Sequence, residues 1–129
     1  MTSKKVIYTD KAPAPVGPYN QAIAVTGELI FVAGQIPLNA QGEMVGDGDI
    51  QAQTTQVMAN LAAILKEAGV DFSAVVKTSV FLSDLNNFVP MNEIYAQYFP
   101  ENPPARACVE VARLPKDVLV EIECIAVRG

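Results

Sequence analysis

The chain has 129 residues, half of them hydrophobic, a formal net charge of −5 and no histidine. That length and apolar content fit a single domain, residues 1–129, with a core of its own. The acidic balance argues against a nucleic-acid surface, which needs a basic stripe, and without histidine any acid–base chemistry must run on carboxylates, a thiol, a phenol or ordered water.

Residues 4–9 alternate as a short first strand. Residues 11–18 are extended, because Pro13, Pro15 and Pro18 fix φ and withhold donors. Residues 19–25 and 29–33 read as the two arms of a hairpin around Thr26-Gly27-Glu28. Gly34-Gln35-Ile36-Pro37 breaks the second arm, and residues 39–48 form a glycine-rich loop. Residues 50–68 are a helix: Ile50, Val57, Leu61, Ile64, Leu65 and Ala68 follow the 3.6 period, Asp49 stands where an N-cap belongs and Gly69 where a C-terminal glycine belongs. Residues 74–82 are a strand. A second helix covers residues 88–99, with Asn86 or Asn87 as its cap, Pro90 in its first turn and Pro100 ending it. Residues 106–112 and 118–127 are the last two strands. The order βββ-α-β-α-ββ is that of an α+β fold, a mixed sheet with two helices on one face.

The last strand implies association. Val118, Val120, Ile122, Cys124 and Ala126 point one way, and Leu119, Glu121, Glu123, Ile125 and Val127 the other. Both faces are apolar enough to want burial, and two helices cover only one. The open face is therefore expected to pack on other subunits in a closed homo-oligomer. The N-terminus lacks the apolar run of a secretory signal, and no stretch approaches the roughly 20 residues that span a bilayer. Cys108 and Cys124 have no zinc-type spacing and read as reduced thiols of a cytoplasmic protein. No metal site is expected.

The chemistry-bearing residues gather in the last quarter. Arg106 starts a strand after Pro103-Pro104, where a guanidinium either grips a ligand carboxylate through two parallel bonds or pairs with Glu110, Glu121 or Glu123. Glu121 and Glu123 share a face, either as an exposed stripe or, for Glu121, deeper in its strand, as a partly desolvated carboxyl able to orient a water or exchange a proton. Cys108 alternates onto the side of Arg106. A nucleophilic cysteine needs an activating partner, and with no histidine the thiol reads as packing beside a useful backbone N–H. Asn92 lies on the helix stripe of Phe88 and Tyr95, either as a hydrogen-bonding anchor or as a pocket wall. Tyr19 is core or pocket edge. Gly34 lets a ligand approach the backbone or simply ends a strand. There is no P-loop, GxGxxG or Ser-His-Asp set.

Taken together these residues form a known pattern. Ala12-Pro13 with Gly17-Pro18-Tyr19, Gly34-Gln35-Ile36-Pro37, the run from Val80 to Phe88, Asn92, Tyr95, the run from Pro104 to Asp117 and the closing Glu121-Ile122-Glu123 resemble, nearly end to end, the Rid (YjgF) family of reactive intermediate deaminases and its RidA enamine/imine deaminase group. That resemblance implies a homotrimer of chorismate-mutase-like subunits with clefts at the subunit interfaces. It implies hydrolysis of 2-aminoacrylate, 2-iminopropanoate and 2-iminobutanoate to 2-keto acids and ammonia, without a cofactor, sparing pyridoxal-phosphate enzymes from these intermediates. Arg106 matches the carboxylate-binding arginine and Glu121 the glutamate that positions water. Tyr19, Gly34, Asn92, Ala107 and Cys108 fall at other substrate-binding positions. The chain departs from the pattern at Ala33 and Ala107, where serines are usual, and in the shortened segment 100–104. The rival reading is a non-catalytic module that binds keto acids or docks on a protein through the same cleft.

Overall fold

The computed structural model describes residues 3–129. Met1 and Thr2, the start of the segment read above as lacking a signal sequence, lie outside the described residues. The observed order is β1 (Ser3–Ile7), β2 (Ala22–Thr26), β3 (Glu28–Gln35), α1 (Ile50–Glu67), β4 (Val75–Leu82), α2 (Phe88–Tyr95), β5 (Ala105–Glu110) and β6 (Val120–Arg128), with short 3₁₀ turns between them. This is the expected βββ-α-β-α-ββ sequence of an α+β fold.

The pairing differs from expectation in one respect. β2 and β3 do not form a hairpin. β2 pairs antiparallel with β1, while β3 joins a four-stranded sheet of order β3-β6-β4-β5. Only Gly27 separates the two strands, and it has φ 146°. One residue is too few to reverse the chain into a paired register. A Cβ at Gly27 would stand 2.6 Å from the Arg128 carbonyl oxygen, so the chain changes sheets by pressing its bare backbone against the end of β6.

β6 is the centre of the larger sheet. It pairs antiparallel with β3 and β4, and β5 adds to β4 in parallel at the edge. Val120, Ile122, Cys124 and Ala126, alternate residues of β6, are all buried. They meet Val57, Met58, Leu61 and Leu65 of α1 and Met91 and Tyr95 of α2 in one core. A fully buried side chain of this size contributes about 1.5–3 kcal/mol over an exposed one.

α1 forms as its ends predict. Asp49 accepts from the N–H groups of Gln51 and Ala52, and beyond the last turn Val70 donates to Leu65 and Gly69 to Lys66. Its buried face is less apolar than the sequence pattern suggests. Ile64 lies at the rim, and Gln53 and Thr54 are buried in its place. The Gln53 side chain accepts from Leu119 N–H at 2.8 Å and donates to the Gly46 carbonyl at 3.1 Å, so it fastens the helix to two loops. α2 is shorter than expected. Asn87 stands at its N-cap without a side-chain bond, and Asp84 instead caps the preceding 3₁₀ turn. Among the described residues no helix is long and apolar enough to cross a membrane.

Gln53→Leu keeps the volume but strands a partly buried N–H and a partly buried carbonyl. At a fixed protein concentration it is expected to lower unfolding stability in urea by about 1–3 kcal/mol. A midpoint equal to wild type would show that neither bond matters.

Candidate functional site

The strand register sorts the site residues onto two faces. Arg106 lies opposite Thr78, and Thr78 lies opposite Cys124, so all three face the helices. Cys108 follows on the same side, opposite Val80. Glu121 is opposite Phe81, an odd step from Thr78, and therefore belongs to the other face. Ala107, opposite Ser79, also points to that other face and is exposed.

On the helix side, Arg106 is enclosed. Its guanidinium carbon lies 4.8 Å from the ring centre of Tyr95 and 5.6 Å from those of Tyr19 and Phe88. Nη1 donates to the Asn92 side-chain oxygen at 2.6 Å. Phe88, Asn92 and Tyr95 are spaced i, i+4, i+7 along α2, which puts all three on one stripe. The Tyr95 hydroxyl shares a 2.7 Å hydrogen bond with Thr78, the β4 residue paired with Arg106. Burial pushes the Tyr95 phenol up to about 12, against the Thr78 bond and the nearby Arg106 charge, so the hydroxyl stays neutral.

Arg106 has no carboxylate partner among the described residues. The ion pairs there are Arg113 with Asp117 and Arg128 with Glu28. Glu110, one of the partners considered from sequence, accepts instead from Leu85 N–H at 2.8 Å. Glu121 and Glu123 are across the sheet. A pocket of about 220 Å³ opens over the guanidinium between Val16, Tyr19, Phe88, Arg106 and Cys108. It brings together four of the anticipated residues, Arg106, Cys108, Tyr19 and, through its bond to Arg106, Asn92.

Cys108 adds a backbone donor rather than a thiolate. Burial pushes its thiol up, only partly opposed by the charge of Arg106. Val111 N–H donates to Leu82 of β4. Alternation along β5 then turns the Cys108 N–H toward the free edge of the sheet, beside the pocket.

Gly34 and Glu121 form a second constellation on the opposite face. β3 bulges between Val32 and Gln35 where it leaves the regular register with β6. A Cβ built on Gly34 would overlap a Glu121 carboxylate oxygen, so the carboxylate packs directly on the glycine backbone. A shallow depression of about 390 Å³ runs from Gly34 along Ile36–Gly42 to Asn60 and Ile64 of α1. It is lined by no charged side chain. On the sheet face that bears Glu121 and Glu123, three large apolar side chains are open: Phe31 is 71 % exposed, Leu29 55 % and Val109 45 %.

Sequence reasoning missed the box around Arg106. Phe88 and Tyr95 were visible as neighbours of Asn92 on one helical stripe, and that spacing was the available signal. Val16 carried none, because nothing local ties a proline-flanked valine to a strand some ninety residues on.

Comparison with known proteins gives the same frame. The family described as Endoribonuclease L-PSP matches residues 9–128. A RutC family protein of Pyrococcus abyssi is 56 % identical over 124 residues, covering 96 % of this chain and 97 % of that protein. A RutC family protein of Synechocystis is 59 % identical over 125 residues, covering 95 % of each. Among solved structures, E. coli TdcF with bound serine is 43 % identical with a TM-score of 0.74, over 97 % of this chain and 99 % of that one. The Rid family protein YyfB of Yersinia pestis is 30 % identical with a TM-score of 0.85, over 97 % and 98 %. The chain belongs to the endoribonuclease L-PSP family, known also as the YjgF/Rid family.

Proposed function

We propose that this protein is an enamine/imine deaminase. It hydrolyses 2-iminopropanoate, the tautomer of 2-aminoacrylate, and 2-iminobutanoate to pyruvate and 2-oxobutanoate plus ammonia, and so protects pyridoxal-phosphate enzymes in the cytoplasm. The observation that carries this reading is Arg106: a guanidinium held by Asn92 and three rings, open to a small pocket and paired with no carboxylate of the described residues. Such a cation suits the carboxylate of a small 2-imino acid. The serine bound to the related TdcF carries a carboxylate of the same kind.

Arg106 and the Cys108 N–H hold the carboxylate. Water adds to the protonated C=N carbon, and the tetrahedral adduct expels ammonia as the C–N bond breaks. One water is consumed, and one keto acid and one ammonia are formed. Glu121 orients the attacking water, takes its proton and returns it to the departing nitrogen, while the adduct's hydroxyl becomes the keto oxygen. Because Glu121 and Arg106 lie on opposite faces of one sheet, the working site draws Arg106 from one subunit and Glu121 from another. The exposed Leu29, Phe31 and Val109 supply the apolar contact for a homotrimer. The imine is already electrophilic, so a modest acceleration suffices and no activated nucleophile is needed. The ribonuclease in the family's name finds little support in a chain of net charge −5 without histidine.

The test is to generate 2-aminoacrylate in situ with a serine dehydratase and follow keto-acid release. Wild-type protein is expected to speed release and Arg106→Ala to abolish the acceleration and pyruvate binding. Near-normal turnover by Arg106→Ala would refute the carboxylate grip. Pyruvate binding without any turnover by wild type would mark a keto-acid-binding module instead.

Glu121→Ala is expected to lower kcat more than it raises KM, because the water is placed for the chemical step. Mixing it with Arg106→Ala through denaturation and reassembly should then raise activity above that of either variant, toward about a quarter of wild type, the share of interfaces that pair an intact Arg106 with an intact Glu121. No recovery in verified mixed oligomers would place both residues in the same subunit's site.

A further inference from the structure

The wall of the pocket opposite α2 comes from a segment with little structure of its own. Residues 9–20 contain Pro13, Pro15 and Pro18, which lack N–H donors, and the segment belongs to no helix or strand. Yet it must set Tyr19 against Arg106, and Gly17 so close that a Cβ there would lie 3.5 Å from a guanidinium nitrogen. Something outside the pocket must hold it.

Two neighbouring side chains do so. Gln21, the residue before β2, accepts from Thr9 N–H at 2.8 Å and donates to the carbonyls of Pro13 at 2.7 Å and Thr9 at 3.1 Å, with a longer approach to Ala12 at 3.4 Å. It closes the base of the segment into a loop by saturating one amide. Asn20 ties the far end to β5: its side chain donates to the Pro103 carbonyl at 2.7 Å and its backbone N–H to the Pro104 carbonyl at 3.2 Å. Pro104 is two residues before Arg106. The bonds that shape the loop therefore fix its distance from the strand that bears the arginine.

We infer that Gln21 is a positioning residue for the anion site, acting through Tyr19, and that Asn20 registers the same loop on the Arg106 strand. Gln21 touches neither Arg106 nor the pocket. Its amide replaces the turn hydrogen bonds that the prolines cannot make. Released, the loop swings and Tyr19 leaves the guanidinium, which then faces water on that side and grips a carboxylate less tightly. The binding consequence rests on the reading of Arg106 as a carboxylate grip; the positional claim stands on the loop geometry.

The side-chain Nε–H resonance of Arg106 reads the positional claim directly, because the rings of Tyr19, Phe88 and Tyr95 shift it. In Gln21→Ala the resonance should move toward its place in Tyr19→Ala, and the double variant should add nothing further. Gln21→Glu, which keeps the acceptor for Thr9 N–H but turns a carboxylate on the Pro13 and Thr9 carbonyls, should move it the same way and serves if the alanine variant folds poorly. Pyruvate affinity should fall about tenfold in Gln21→Ala and not fall again when Gln21→Ala is added to Tyr19→Ala. An Arg106 resonance at its wild-type position in both Gln21 variants would overturn the proposal. Failure of wild-type protein to bind pyruvate would instead overturn the carboxylate-grip reading, and the resonance would still decide the role of Gln21.

Discussion

The structure turns on a positive charge that the fold declines to neutralise. A half-buried guanidinium normally acquires a carboxylate, because desolvating a cation without compensation is costly. Arg106 receives an amide oxygen and three aromatic faces instead. A hydrogen bond to a charged group is worth about 1.5–3 kcal/mol, and each ring adds about 0.5–2 kcal/mol. These contacts hold the side chain in place while leaving its charge uncancelled. They come from separate parts of the fold: α2 brings Asn92, Phe88 and Tyr95, the proline-rich loop brings Tyr19, and Thr78 of β4 anchors the Tyr95 hydroxyl beneath.

The placement of Glu121 follows from the same requirement. In reach of Arg106 within one chain, Glu121 would form an internal ion pair, and neither group would be available to a ligand. The sheet keeps them apart, one on each face. The bulge in β3 and the bare Cα of Gly34 give the Glu121 carboxylate a fixed seat without a cation. On the proposed reading the two groups meet only across a subunit boundary, with the substrate between them. The apolar face carrying Phe31, Leu29 and Val109 then serves chemistry as well as stability. On that reading assembly creates the site, and an isolated subunit holds two halves that cannot act together.

What was legible in the sequence was whatever is encoded locally. The order of elements, the Asp49 cap and the Gly69 stop of α1, and the alternation of β6 all follow from short-range pattern, and the structure has them. The β2–β3 hairpin was misread because sequence adjacency is a strong prior for pairing, whereas a single glycine at φ 146° forces the strands into different sheets. The burial of Gln53 was hidden for another reason. A polar residue enters a core only when distant backbone groups need it, here Gly46 and Leu119. The candidate site was half legible: alternation put Cys108 on the side of Arg106, and only the family resemblance grouped Asn92 with them, while the choice between a ligand and an internal ion pair depended on which face each glutamate occupies. The clasp of Gln21 was invisible, because its acceptors are carbonyls and every residue has one.

The thiol in the pocket shows how far chemistry can be read from what surrounds a group. Cys108 lies beside an arginine, the setting that usually lowers a thiol pKa and makes it reactive. Its desolvation outweighs that charge, and the thiol is pushed up instead. The Arg106 charge offsets only part of that desolvation, and there is no histidine to take the proton. The side chain is left as packing, and the backbone N–H at the free edge of β5 is the group with a use. An edge strand normally carries an aggregation risk because its donors are unpaired. On the proposed reading, a donor of β5 is kept open for the carboxylate that Arg106 attracts, so the same edge that would be a liability in a structural sheet becomes the second hand of the anion grip.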